Sequence, residues 1–124
     1  MARQVYAGMR RDGGPVGFWV YIMASRRNGT IYVGQTDDLG ARVRQHRERA
    51  RPGFTHDYGC TLLVWAEWHE TRAGAFQRER RIKEWKRAWK LRLIEETNPT
   101  WSDRLDHYLR AETPIRTATG PAGR

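Results

Sequence analysis

Tyr21, Tyr32, Arg42, His46, Glu79 and Lys83 are the side chains in this sequence whose types and spacing could do chemistry. A carboxylate such as Glu79 can hold one Mg²⁺ or Mn²⁺ ion that keeps most of its waters. A guanidinium such as Arg42 can take phosphate oxygens in a fork, and phenol and imidazole groups can carry protons. Hydrolysis of a phosphodiester asks for those functions: an activated water, neutralised charge on phosphorus, and help for the leaving oxygen. A single converging carboxylate implies one metal ion rather than two. Taken one at a time, each residue has an ordinary explanation. Strand tyrosines pack across a sheet, a histidine in an apolar stripe is hydrogen-bonded in the core, and a glutamate four before a lysine is a surface pair. Chemistry requires that they converge, so the elements that carry them matter.

GFWVYIMAS and TIYVGQT are two β-prone runs around Arg26-Arg27-Asn28-Gly29, a turn signal, and predict a hairpin. A loop symmetric about Asn28-Gly29 puts Val20, Ile22, Ala24, Ile31 and Val33 on one face, and Tyr21 and Tyr32 together on the other. Thr36, Asp37 and Asp38 supply an N-cap and early acids for a helix to about Ala50, stopped by Arg51-Pro52-Gly53. Leu39, Val43 and Ala50 form its buried stripe. His46 falls within that stripe, and Arg42 lies one turn earlier at its edge. A third strand is expected at about residues 60 to 68, then a helix from Arg72, capped by Thr71, through Trp85. Ile82, Trp85 and Trp89 mark the inner face, with Glu79 at its boundary and Lys83 one turn on. A further helical stretch, AWKLRLIEE, ends at Thr97-Asn98-Pro99 because proline cannot continue it.

The chain has 124 residues with 39% hydrophobic content, enough for one domain with a modest core. Its net charge of +9 exceeds what solubility needs and points to a polyanion, nucleic acid first. Residues 1–16 and 106–124 read as flexible ends around a folded unit at 17–105, and most of the excess charge lies in that unit. Cys60, the single cysteine, cannot form an internal disulfide and sits in an apolar run, which fits a reducing compartment. No apolar stretch is long enough to span a bilayer, and the N-terminus lacks an apolar signal region, so a cytoplasmic protein is expected. His56, His69, His107 and Cys60 lack metal-ligand spacing, which argues against a structural zinc site. Trp85 and Trp89 are expected in the core rather than stacked on bases, while Trp19 and Trp101 are open.

VYI at residues 20–22 and YVG at 32–34 are followed in order by LGARVRQH, GFTHDYG, an apolar third strand, QRERRIKEWKRAWKLRLIEETNP and WSDRL. This succession resembles the GIY-YIG nuclease superfamily, in particular its small stand-alone members, related to the nuclease domain of bacterial excision-repair endonucleases. Val20 stands where the name motif has glycine. The resemblance implies an active site of Tyr21, Tyr32, Arg42 and His46, with Glu79 as the metal-binding glutamate. Asn98 matches a polar position near the site, less closely, and Lys83 less closely still. On the same basis Tyr21 is the general base, with Tyr32 and His46 orienting the water or sharing the proton.

The expected fold is α/β of the α+β kind, a small three-stranded, mainly antiparallel sheet flanked by helices. The expected function is divalent-metal-dependent endonucleolytic cleavage of DNA, in repair or recombination, with one Mg²⁺ or Mn²⁺. Arg80, Arg81, Lys86 and Arg87 read first as a solvated helix flank and second as a ridge that contacts phosphates beside Arg42 and Lys83. A DNA-binding module of the same fold without turnover is the alternative. A domain this small leaves room for a homodimer or a protein partner to supply targeting.

Overall fold

A computed structural model describes residues 17–49 and 59–110. The first apolar runs form β1 (Phe18–Ala24) and β2 (Ile31–Thr36), joined by a turn in which Gly29 N–H donates to the Arg26 carbonyl at 2.9 Å. Asn28 takes the left-handed conformation, with φ of 60°, which asparagine tolerates better than most residues. The turn is therefore centred on Arg27-Asn28, not on Asn28-Gly29 as the dipeptide signal suggests. Tyr21 pairs with Gly34 and Met23 with Tyr32, two residues away from the expected register. An even shift leaves face parity intact, so Tyr21 and Tyr32 still share a face.

β3 (Leu62–His69) pairs antiparallel with the other side of β1, giving the order β2-β1-β3. The central strand is thus β1, and both of its faces are buried. On one face Val20, Ile22, Ala24 and Val64 pack with Ala75, Ile82 and Ile94 of α2 (Arg72–Glu84) and α3 (Arg87–Thr97). On the other, Trp19, Tyr21, Met23 and Leu63 pack with Leu39 and Val43 of α1 (Leu39–Arg49). The face with the tyrosines is therefore covered by a helix rather than open. Asp38 caps α1 by accepting the Ala41 N–H at 3.1 Å, and Thr71 caps α2 by accepting the Gly74 N–H at 3.0 Å. Residues 50–58, which include the expected stripe residue Ala50 and most of GFTHDYG, lie outside the described residues.

The basic run that follows Glu79 is broken at Trp85 and Lys86, whose extended backbones end α2 and start α3. The break turns Trp89 away from the face that holds Ile82. Trp89 is 49% exposed, contrary to the expected core position, while Trp85 is half-buried against the core. Residues 106–110, expected to begin a flexible tail, are helical as part of α4 (Leu105–Arg110). Their anchor is Tyr108, whose ring meets Trp19 edge-on at 6.0 Å between centroids.

The segment between α3 and α4 closes one end of the core. Asn98 is buried, and its amide donates to the carbonyls of Val64 at 3.1 Å and Ser102 at 2.9 Å. Its oxygen accepts from Ser102 N–H and Oγ at 3.2 and 3.3 Å. This clamp holds Trp101 in a left-handed conformation, φ 61°, that costs a bulky residue about 1–3 kcal/mol. The buried indole, bonded to Glu95 Oε2 at 2.8 Å, offsets that strain. Asp103 and Arg104 then run beside β3, exchanging bonds with Leu63 N–H and carbonyl at 2.9 and 2.8 Å and covering that end of the sheet edge.

Removing this clamp leaves a buried carbonyl without a partner, so Asn98→Ala is expected to lower stability by about 1–3 kcal/mol. A urea titration checks it. An unchanged midpoint would contradict the clamp and return Asn98 to the list of residues that act on a ligand.

Candidate active site

Tyr21 brings a hydroxyl into a largely apolar face of the sheet, and burial there demands hydrogen-bond partners. Both come from α1, one turn apart. His46 Nε2 lies 2.9 Å from the Tyr21 hydroxyl, and Arg42 Nε donates to it at 3.1 Å. Since Arg42 can only donate, the arrangement that satisfies every group has the phenol donating its own proton to His46 Nε2. The Tyr32 ring stands against the same imidazole at 4.7 Å between centroids and 6.2 Å from the Tyr21 ring. Gln45 steadies Arg42 by accepting from its guanidinium at 2.8 Å.

Gly34 makes this packing feasible. A Cβ at that position would lie 2.6 Å from the Tyr21 hydroxyl oxygen and 2.9 Å from a ring carbon of Tyr32. The residue belongs to the YVG run, yet its own part in the site was missed from sequence. Its cross-strand pairing with Tyr21 was the signal that could have found it, and that pairing depends on the register.

Glu79 reaches the site from the other side of the sheet, on α2. It is 9% exposed and is paired with Lys83 Nζ at 2.9 Å, while Lys83 itself is half exposed. Burial pushes the Tyr21 hydroxyl well above the ordinary tyrosine range; Arg42 works against this, and Tyr32 and Glu79 add to it. The carboxylate is therefore near enough to be felt at the phenol. Burial opposes the charge of Arg42, but bonds and attraction from Tyr21 and Tyr32 outweigh it and hold the guanidinium protonated.

The structure thus brings Tyr21, Tyr32, Arg42 and His46 together, while Glu79, paired with Lys83 on α2, acts on Tyr21 through its charge. Asn98 is spent on Val64 and Ser102, which supports a role in the fold rather than at a substrate. Arg87 is likewise engaged: it donates to the carbonyls of Gly29 at 2.6 Å and Asn28 at 3.1 Å, tying α3 to the hairpin turn. Arg80, Arg81 and Lys86 are exposed.

No group of three or more His, Cys, Asp or Glu side chains that could enclose an ion exists among the described residues. The buried Glu79 carboxylate has the oxygen-donor chemistry that a hard, hydrated divalent cation takes. Among the described residues, no helix is long and apolar enough to cross a membrane.

The fold is a three-stranded antiparallel sheet between helices, with Tyr21 and Tyr32 over Gly34 and Arg42 and His46 of α1 against them. The chain belongs to the GIY-YIG family: the GIY-YIG catalytic domain matches residues 17–92. Members of this family are generally endonucleases. Within it the chain is similar to the UPF0213 proteins. One from Staphylococcus aureus (strain Mu3) is 37% identical over 78 residues, covering 63% of this chain and 94% of that protein. One from Aeromonas salmonicida is 29% identical over 100 residues, covering 81% of this chain and 73% of that protein. The chain also resembles the solution NMR structure of a UPF0213 protein from Bacillus halodurans. That match has 23% identity and a TM-score of 0.45, covering 72% of this chain and 96% of that one.

Two outcomes test the geometry. Gly34→Ala is expected to displace the Tyr21 and Tyr32 rings and cut any activity at this site by at least about tenfold; activity and binding at the wild-type level would show that the rings do not need the space. The Tyr21 proton is held more tightly in the folded state than in the unfolded one. Its contribution to stability is therefore complete below about pH 10 and is lost as pH rises through the higher folded value. Tyr108, raised mainly by burial, behaves alike. Urea stability should fall above pH 10, with a shallower fall in Tyr21→Phe; identical slopes would contradict a buried, proton-bearing phenol.

Proposed function

We propose that the protein is a divalent-metal-dependent endonuclease that hydrolyses phosphodiester bonds of DNA. The observation that carries this reading is the Tyr21 hydroxyl, held between His46 Nε2 at 2.9 Å and Arg42 Nε at 3.1 Å, with the Glu79 carboxylate on α2 across the sheet. Family membership and a net charge of +9 support it.

A phenol raised above its ordinary range is neutral at physiological pH and is a poor base alone. Tyr21 acts here as a relay: it takes a proton from the attacking water while passing its own to His46 Nε2. Tyr32 packs against His46 and keeps the imidazole aimed at the phenol. Arg42, kept protonated, offers guanidinium hydrogens to the phosphate and stabilises the charge that develops there. Glu79 would hold the divalent ion, which when bound supplies Lewis-acid stabilisation of charge on the phosphate. Lys83, released from Glu79, is free to meet a phosphate oxygen. Arg80, Arg81 and Lys86 extend the cationic surface along the strand, whereas Arg87 contributes through the hairpin turn. A role in DNA repair or recombination and a cytoplasmic location are part of the same reading.

One observation favours a second reading, a DNA-binding module without turnover: Lys83 already neutralises the single candidate metal carboxylate. Cleavage of labelled single-stranded, duplex and branched DNA with Mg²⁺, Mn²⁺ or EDTA separates the two. The nuclease is expected to cut with metal and stop in EDTA, and Glu79→Ala to lose at least about 100-fold. Tyr21→Phe and His46→Ala should lose comparable activity because each breaks the same relay. Salt-sensitive binding without cutting on any substrate would establish the module instead.

A further inference from the structure

Three large apolar side chains are notably exposed among the described residues: Phe76 at 45%, Trp89 at 49% and Leu109 at 40%. Scattered apolar residues on a surface are ordinary. Phe76 differs from the other two in its position. On α2, residues 76, 79, 80 and 83 recur at i, i+3, i+4 and i+7, which places Phe76, Glu79, Arg80 and Lys83 along one side of the helix. Ala75 and Ile82, on the adjoining stripe, are fully buried. Moving outward from the core, the helix therefore presents the buried Glu79 carboxylate first, then Phe76 and Lys83, then Arg80. An aromatic ring stands at the rim of the candidate metal site, about 4.5 Å along the helix axis from Glu79. Arg80 lies over that ring at 5.4 Å from its centroid.

We infer that Phe76, with Arg80 over it, is a stacking shelf for a base of the substrate strand next to the phosphate that Arg42 and the cation held by Glu79 would bind. The inference rests on the nuclease reading above and adds to it the group that sets the strand's position. Every base has a π-face, so an aromatic shelf fixes where the strand lies without selecting its sequence. The axial offset from Glu79 is comparable to the rise of about 3.4 Å between successive nucleotides in a stacked strand. Arg80 supplies a guanidinium plane that can share the stacking and a charge for the adjoining phosphate. The surroundings favour a nucleic-acid occupant over a protein one, because the ring's neighbours on this side, Arg80 and Lys83, are cationic. Trp89 lacks this relation, since it stands on α3 beyond the break that ends α2.

The test scans 2-aminopurine along a labelled DNA strand, in the Glu79→Gln background so that bound strands stay intact, and compares it with Phe76→Ala in the same background. Steady-state cleavage of the unmodified strand by single Phe76 variants runs beside it. Fluorescence quenching is expected at one or two positions adjoining the cut made by the wild type, and Phe76→Ala should abolish it. In cleavage, Phe76→Ala should raise KM by about 5- to 100-fold with kcat changed far less, and Phe76→Trp should restore KM. Phe76→Leu, which keeps apolar bulk without a ring, should behave like alanine. Wild-type-like KM in Phe76→Leu, or quenching that survives Phe76→Ala, overturns the shelf while leaving the nuclease reading standing. A dimer of the wild type that Phe76→Ala dissolves assigns the ring to a second copy and also overturns it. Absence of both cutting and DNA binding by the wild type overturns the nuclease reading itself, and the shelf with it.

Discussion

The Tyr21 hydroxyl is the constraint around which this small domain is arranged. It lies on the central strand, on a face it shares with Trp19, Met23 and Leu63 under Val43 of α1, and a phenol buried there without partners would cost about 1–3 kcal/mol. Arg42 and His46 meet that demand from successive turns of α1. Because both must reach one oxygen while Leu39 and Val43 pack on the sheet, the rotation of α1 about its axis has little freedom. Gly34 follows from the same demand, since the phenol oxygen occupies the space a side chain would take. The hydrogen bonds that satisfy a buried polar group are also the connections along which a proton could travel.

The sheet has helices on both faces, and β2 lies at its edge. Proton-carrying groups come from β1, β2 and α1, and the carboxylate comes from α2 on the opposite face. Neither helix alone holds a complete set. Glu79 keeps company with Lys83, an i,i+4 pair in which the lysine is half exposed. Because the carboxylate is buried, it keeps a cation beside it, and Lys83, half exposed, is the one that can be exchanged for another.

The GIY-YIG match ends at residue 92, but the core does not. Ile94, Asn98 and Trp101 are buried, and Asp103 and Arg104 cover one end of β3. They bond the Val64 carbonyl and the Leu63 N–H and carbonyl. The segment after residue 92 thus completes the sheet while supplying none of the groups clustered at Tyr21. A fold can carry many functions, and it is this cluster, rather than the architecture, that gives the functional reading its content.

Local pattern went far in this chain because its elements obey short-range rules. Alternation of apolar residues determined both strands of the hairpin and the shared face of Tyr21 and Tyr32. Thr71 capped its helix as expected, and the 3.6-residue period placed His46 inside the buried stripe with Arg42 one turn away. Each of these depends on neighbours within a few residues. The hairpin register moved by two, because the turn closed on Arg27-Asn28 and satisfied the facing strands equally well. Trp89 faced outward once Trp85 and Lys86 broke the helix, and Asn98 and Arg87 were spent on the fold. The bond from Tyr21 to His46, the space at Gly34 and the arrival of Glu79 from the far face were likewise decided only in three dimensions. They are set by distances between elements remote in sequence, and no local period encodes those distances.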